Sequence, residues 1–344
     1  MRDLGQNHLD RTLTVIERTS ASGLAEMSRE KRKMKRTFSV IIATCNRQEL
    51  VFQAIDSVLE QTFKDYEIIV VDDGSSAEIK DKIKTNYGKA IRLVESNMQG
   101  SARAYQHGVS VATGRYVAFL DDDDLYLPWT LATYHRIIQD LSSPPVVLGS
   151  LSYKWDDNRD ISTSHSPGEI HVRKFKDFLA KDVTTGTMSQ SRIVMQKAVF
   201  DDLHREKQEE PFILNDYHLV LLAGVCGPCV IVKSPTTALY RQHPTQATKN
   251  VEKMSRGILQ LVEYLRGSAS RSRRLDRYAY LGGPVKEWFR KAVDAQHPEL
   301  AIKLLVNGWP MMAAATARKL LVQFRRPTNL QILSMEKRHS KVDL

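Results

Sequence analysis

The sequence predicts an α/β fold: a mostly parallel sheet flanked by helices, with a helical region at the C-terminal end. Three observations carry this. Compact apolar, β-branched runs recur at 38–43, 66–71 and 116–120, too short for helices and apolar at consecutive positions, as strands buried on both faces are. Segments of helical spacing separate them. Beyond Asn250 the pattern is mostly helical.

The elements follow in order. Phe38 to Ala43 is a buried strand leading into the loop Thr44-Cys45-Asn46-Arg47. Apolar residues at Leu50, Val51, Ala54, Ile55, Val58 and Leu59 give a helix over 50–61. Tyr66 to Val71 is a second strand, stopped by Asp72-Asp73-Gly74-Ser75-Ser76. A helix over 77–87, a strand at 91–94, a helix over 100–112 and a strand at 116–120 repeat the unit. Strands alternating with helices imply right-handed crossovers and a parallel sheet covered on both faces. Ligands of such sheets sit at the carboxyl ends of the strands, where Asp72-Asp73 and Asp121-Asp122-Asp123-Asp124 both lie. Segments 146–173 read as β-like around the charged turn 156–160, and a further helix and strand reach Tyr240. The C-terminal helices show weak breaks at Gly282-Gly283-Pro284 and Trp309-Pro310.

The chain divides into a basic extension 1–36, a catalytic domain 37–248 and a basic helical region 249–344. The formal charge is +10, unevenly placed. The extension has 9 Lys/Arg against 5 Asp/Glu, the helical region 19 against 8, and the middle 22 against 27. Basic helices point to an anionic membrane surface, or to packing against the catalytic domain or a second subunit in a homo-oligomer. No zinc-finger spacing or basic-aromatic signature is present, so nucleic acid is not an expected partner. No uninterrupted apolar run approaches the ~20 residues of a membrane span, and no secretory signal is seen. The expected location is the cytoplasm, or the inner face of the membrane as a peripheral protein.

Cys226-Gly227-Pro228-Cys229 invites a redox or zinc reading, but its flanks read as loop into strand and no further ligands follow at regular spacing. A small turn entering a buried strand is the preferred reading. The four consecutive aspartates are different. A solvated acidic turn is the ordinary explanation, yet like charges this close repel unless a cation or donor groups compensate. Carboxylate oxygens favour Mg²⁺ or Mn²⁺, whose shell is commonly completed by phosphate oxygens and water.

At this point a resemblance enters. Residues 38–129 resemble the donor-binding half of family 2 glycosyltransferases, carried by Phe38 to Arg47, by Val70-Val71-Asp72-Asp73-Gly74-Ser75-Ser76, and by Ala112 to Asp124 with Pro128 beyond. Weaker resemblance runs to about residue 245. It implies a GT-A-like, Rossmann-type domain and inverting transfer from a nucleotide-diphosphate sugar, with a UDP-sugar as the expected donor. The acceptor would be a glycan, a lipid-linked glycan, a peptide or a small molecule. Carried over by position, Thr44 with the nearby Asn46 and Arg47 would contact the nucleotide. Asp73, with Asp72 beside it, would accept from the base, and Asp121 or Asp122 would meet the ribose. Asp123 would ligate Mn²⁺ or Mg²⁺.

Asn215-Asp216 resembles the family's acidic pair near the acceptor, with Asp216 as general base; a helix N-cap is the structural alternative. Tyr240-Arg241-Gln242-His243 resembles the segment in which the histidine closes over the metal-diphosphate. The departures are Cys45 where Tyr is common, Asn215 as the first member of the pair, and Tyr105-Gln106 where Arg-Asn is expected. Arg103 lies about two positions off and is kept as a phosphate contact. The Gly-Gly-Phe common before the acceptor segment is missing. A sugar nucleotidyltransferase would need a Gly-rich, basic triphosphate loop after the first strand, which 44–49 lacks. A non-catalytic binding protein of the same fold is the other alternative.

Overall fold

The computed structural model describes residues 36–97, 100–155, 168–179, 188–204, 212–244, 246–267, 273–322 and 330–334. The basic extension up to residue 35 and the charged turn at 156–160 lie outside the described residues.

The first half of the chain alternates as its sequence predicts. Strand β1 (Arg36–Thr44) is followed by α1 (Gln48–Leu59), β2 (Tyr66–Asp72), α2 (Ala77–Tyr87), β3 (Arg92–Glu95), α3 (Ser101–Val111) and β4 (Gly114–Asp121). Then come β5 (Leu125–Tyr126), α4 (Thr130–Asp140), β6 (Val146–Leu148), β7 (Leu151–Trp155), β8 (Glu169–Phe175) and β9 (Ile193–Gln196). Helices α5 (Lys197–Leu203) and α6 (Asn215–Ala223) lead to β10 (Cys229–Ser234) and β11 (Ala238–Gln242). The C-terminal region holds α7 (Val251–Gly267), α8 (Arg274–Asp294), α9 (Pro298–Val322) and β12 (Leu330–Ser334).

The main sheet has the order β12-β8-β10-β6-β9-β4-β1-β2-β3, and β5-β11-β7 form a second, smaller one. Strands β4, β1, β2 and β3 run parallel, as does the β10–β6 pair. Strand β9 lies antiparallel between β4 and β6, and β8 is antiparallel to both β10 and β12. Consecutive apolar residues in β1 divide between two layers: Val40 and Ile42 join one core cluster, Ile41 the other, all with no exposure. Burial on both faces explains why these strands read as unbroken apolar runs.

Register positions the acidic clusters. Thr44 pairs with Asp72 on one side of β1, and Ala43 pairs with Asp121 on the other. The 44–47 loop therefore emerges between the two aspartate groups. The Cys226–Cys229 segment is a turn into buried β10. Burial pushes the Cys226 thiol up to about 11, away from thiolate chemistry.

The breaks expected at Pro284 and Pro310 do not occur: both prolines lie inside continuous helices. Each removes a backbone hydrogen bond, but α8 and α9 bury Leu281, Val285, Trp288, Leu304 and Met311 in a common cluster, which offsets that cost. Continuity through Pro310 makes 298–321 long and apolar enough, by composition, to cross a membrane, which the reading of uninterrupted runs did not register. Leu214 and Leu221 join the same cluster, so the C-terminal helices pack against α6 and the residue before it.

The two long helices approach closely at Gly282, where an added Cβ would lie 2.0 Å from the Met311 carbonyl oxygen. Gly282→Ala should force them apart at a cost of about 1–3 kcal/mol, lowering Tm by roughly 1–4 °C. An unchanged melting curve would show that the contact is not tight.

Candidate active site

The cleft floor is built from loops at the carboxyl ends of β1, β2 and β4. Asn46 takes a positive φ of 56°, held by two reciprocal bonds: its N–H donates to Ser75 Oγ at 2.8 Å, and its side-chain oxygen accepts from the Ser76 N–H at 3.0 Å. The amide thus ties the β1 loop to the β2 loop. Asp72, almost fully buried, accepts the Ser75 N–H at 3.1–3.2 Å. Asp73 accepts the Gly100 N–H at 2.8 Å, which fixes the entry to α3 beside it. Arg103 lies partly buried in the first turn of that helix.

The second cluster has divided functions. Thr44 Oγ1 donates to Asp122 at 2.8 Å. The Arg47 guanidinium meets Asp122 at 2.9 Å and Asp123 at 3.0 Å, so one cation serves two neighbouring carboxylates. Burial raises Asp122 to about 6, opposed chiefly by Arg47. Asp121 and Asp124 share the hydroxyls of Ser189 and Ser191, the closest contact being Ser191 Oγ to Asp124 at 2.6 Å. Tyr105 donates its phenol proton to Asp121 at 2.8 Å. Burial, reinforced by Asp123, brings Asp121 up to about 7. Burial, reinforced by Asp121, holds Asp124 well above the usual carboxylate range. Hydroxyl donors therefore compensate Asp121 and Asp124, and Arg47 compensates Asp122 and Asp123.

Asp123 faces the fourth element. His243, at the end of β11, brings Nε2 to within 3.1 Å of Asp123 Oδ2. Arg241 braces this approach: its N–H donates to Asp124, its Nε to the Asp123 carbonyl and its terminal nitrogen to Gln53. Among the described residues no group of three or more His, Cys, Asp or Glu side chains is arranged to hold a metal. Asp123 and His243 are the residues that would hold a divalent cation, with substrate phosphates and water completing its shell.

Asp216 lies in the first turn of α6, whose N-cap is Leu214, so the helix-cap alternative does not describe it. The residue is partly exposed, and its carboxylate accepts the neighbouring Tyr217 N–H at 2.8 Å. Burial among protein groups pushes it up to about 6. Its charge also acts on Asp121. Asn215 reaches toward Gln190, whose buried amide nitrogen has no partner among the described residues.

Tyr105, Ser189 and Ser191 belong to the site, and the sequence reading did not place them there. Tyr105 had appeared only as a departure from a pattern. The two serines lie 65–70 positions from the aspartates they touch, and no local spacing marks them.

The sheet order, and the helices on both faces, place the molecule among GT-A-type α/β folds. Residues 39–203 match the model of Glycosyl transferase family 2. Over that segment the chain is similar to this family. A beta-1,3-glucosyltransferase of Campylobacter jejuni, named for GalNAc(5)-diNAcBac-PP-undecaprenol, is 41% identical over 99 residues, 28% of this chain and 32% of the relative. WfaP of Escherichia coli, a UDP-Glc:alpha-D-GlcNAc-diphosphoundecaprenol beta-1,3-glucosyltransferase, is 37% identical over 90 residues, 26% of this chain and 36% of the relative. The chain spans only 13–42% of the length of the first curated relatives it matches. The crystal structure of S. aureus TarS 1-349 in complex with UDP-GlcNAc has the same fold, with a TM-score of 0.51, 17% identity, and coverage of 82% of this chain and 92% of that one.

Proposed function

We propose that the protein is a metal-dependent, inverting glycosyltransferase moving a sugar from a UDP-sugar to a hydroxyl of a lipid-linked glycan. The observation that carries this is the convergence of Asp123 and His243, from segments 120 residues apart, to 3.1 Å at the edge where the first strands end. WfaP, by its name, uses a UDP-glucose donor, and both glucosyltransferase relatives carry undecaprenol in their names.

In this reading Asp73 accepts from the uracil, Asp72 shapes its loop, and Asp122 with Thr44 and Arg47 holds the ribose and phosphate end. Arg47 leaves Asp123 when the diphosphate arrives and remains on Asp122. Mn²⁺ or Mg²⁺ at Asp123 and His243 would neutralise charge that builds on the leaving diphosphate. Asp216 takes the proton of the acceptor hydroxyl as its oxygen bonds to the anomeric carbon. The bond from that carbon to the phosphate oxygen breaks, and the diphosphate leaves with the electron pair. The configuration inverts in one displacement.

The test is transfer from labelled UDP-, GDP- and dTDP-sugars to undecaprenyl-diphosphate-linked saccharides and to soluble sugars, with Mn²⁺ present and after chelation. Metal-dependent transfer from a UDP-sugar to the lipid-linked acceptor is expected. Absence of transfer, together with no nucleotide binding by calorimetry, would leave the non-catalytic alternative.

A further inference from the structure

The α8–α9 pair carries a surface that neither the sheet nor the cleft uses. Ile302, Leu305, Val306 and Trp309 are 60%, 45%, 61% and 60% exposed, and Leu320 is 59% exposed. At helical spacing these positions share one side of α9, over about 27 Å of its length. The other side, with Ala301, Leu304 and Met311, is buried in the cluster formed with α7 and α8. A shallow groove of about 280 Å³ extends the apolar area to Phe289 and Val293 of α8. Isolated exposed apolar side chains are ordinary, but a contiguous stripe with a polar rim marks an interaction surface.

The rim is basic. Lys286, Arg290 and Lys291 of α8 line an adjoining hollow with Lys319 of α9. Lys291 and Lys303 pair with Glu287 and Glu299, whereas Lys286, Arg290 and Lys319 have no ion pair among the described residues.

We propose that this face docks on an anionic lipid bilayer. Helix α9 lies in the plane of the interface, its apolar stripe among the acyl chains and Lys286, Arg290 and Lys319 on the headgroup phosphates. Charge selects this occupant: a second copy packed on the same face would bring like-charged rims together, whereas an anionic surface neutralises them. Trp309, midway along the stripe, supplies the amphipathic ring favoured at headgroup depth. The packed face of α9 holds the helix along the bilayer and not across it. Helix α8 also meets α6: Tyr280 lies 6.4 Å, ring to ring, from Tyr217, the residue after Asp216. The surface is thus carried by a helix whose other side reaches the element that holds Asp216. Its use in meeting a lipid-linked acceptor rests on the transferase reading; docking itself does not.

The test is co-sedimentation of the full chain with phosphatidylcholine vesicles, with and without phosphatidylglycerol, for the wild type, Val306→Asp/Trp309→Asp and Lys286→Glu/Arg290→Glu. Circular dichroism and UDP titration accompany each. Wild-type protein should bind anionic vesicles and be released by salt. The apolar pair and the charge pair should each lower partitioning at least about tenfold, the second removing the preference for anionic lipid, with UDP binding unchanged. If the apolar pair does not fold, the exposed charge pair alone decides. Wild type that ignores anionic vesicles overturns the proposal. So does a dimer by light scattering that Trp309→Asp splits while no vesicle binding is seen. Vesicle binding without any UDP binding would leave docking standing and remove the transferase reading.

Discussion

Replacing Asp216 by asparagine is expected to reduce sugar transfer by about 10²–10⁴-fold while leaving UDP affinity within about threefold. The substitution keeps the side chain's size and its bond to the Tyr217 N–H, and removes only the ability to take a proton. Wild-type kcat/KM should fall about tenfold per pH unit below about 6, the value to which burial raises this carboxyl, and the variant should lose that acid limb. Stability separates a catalytic role from a structural one. The folded-state pKa lies above the ~3.9 of a free aspartate, so folding favours the neutral form. The charged form therefore detracts from stability progressively as pH rises from about 4 through 6, and the loss is complete above that. Asp216→Asn should accordingly melt at or above the wild-type temperature at pH 7.5. A marked fall in Tm with proportionate loss of UDP binding would make Asp216 structural.

Asp123→Ala is expected to remove the dependence of UDP binding on Mn²⁺ and to lower kcat/KM by at least about 10²–10³-fold. Arg47 retains Asp122 as a partner in this variant, so the cleft floor should hold its shape. His243→Ala should weaken metal-dependent binding by about 10–100-fold, because one protein ligand and the diphosphate remain. Calorimetric titration of UDP, with and without Mn²⁺, reads both effects. Equal Mn²⁺ dependence in Asp123→Ala and wild type would remove the cation from this carboxylate and leave the Asp123–His243 contact a structural one.

The parts of the fold legible in the sequence are those whose physics is local. Strands β1, β2 and β4 are buried on both faces, so their apolar runs stand out, and the aspartates that end them follow from the turn to the carboxyl edge. What the sequence hid is non-local. Strands β6 and β9 are three and four residues long and owe their existence to neighbours on either side. Ser189 and Ser191 are indistinguishable from any polar turn until the chain returns them to the aspartates. The proline positions misled because a local penalty was read without the burial that overrides it. Arg47 was legible as a basic residue in the right loop, but not as the counterion that lets the buried Asp122 and the half-buried Asp123 stand side by side.

Strand β12 pairs with β8 along Glu169–Arg173, at the outermost position of the sheet. The chain thus leaves the sheets after β11, forms three helices and comes back to the main sheet. A protein cut near residue 250 would lose more than a helical appendage: the hydrogen-bonding edge of β8 would be bare, and Leu214 and Leu221 would lose their cover. An unpaired strand edge beside uncovered apolar side chains is a template for intermolecular pairing, so such a fragment should self-associate into aggregates. Point substitutions on α8 and α9, which leave the edge closed, are the means of separating the helices' contribution from that of the catalytic domain.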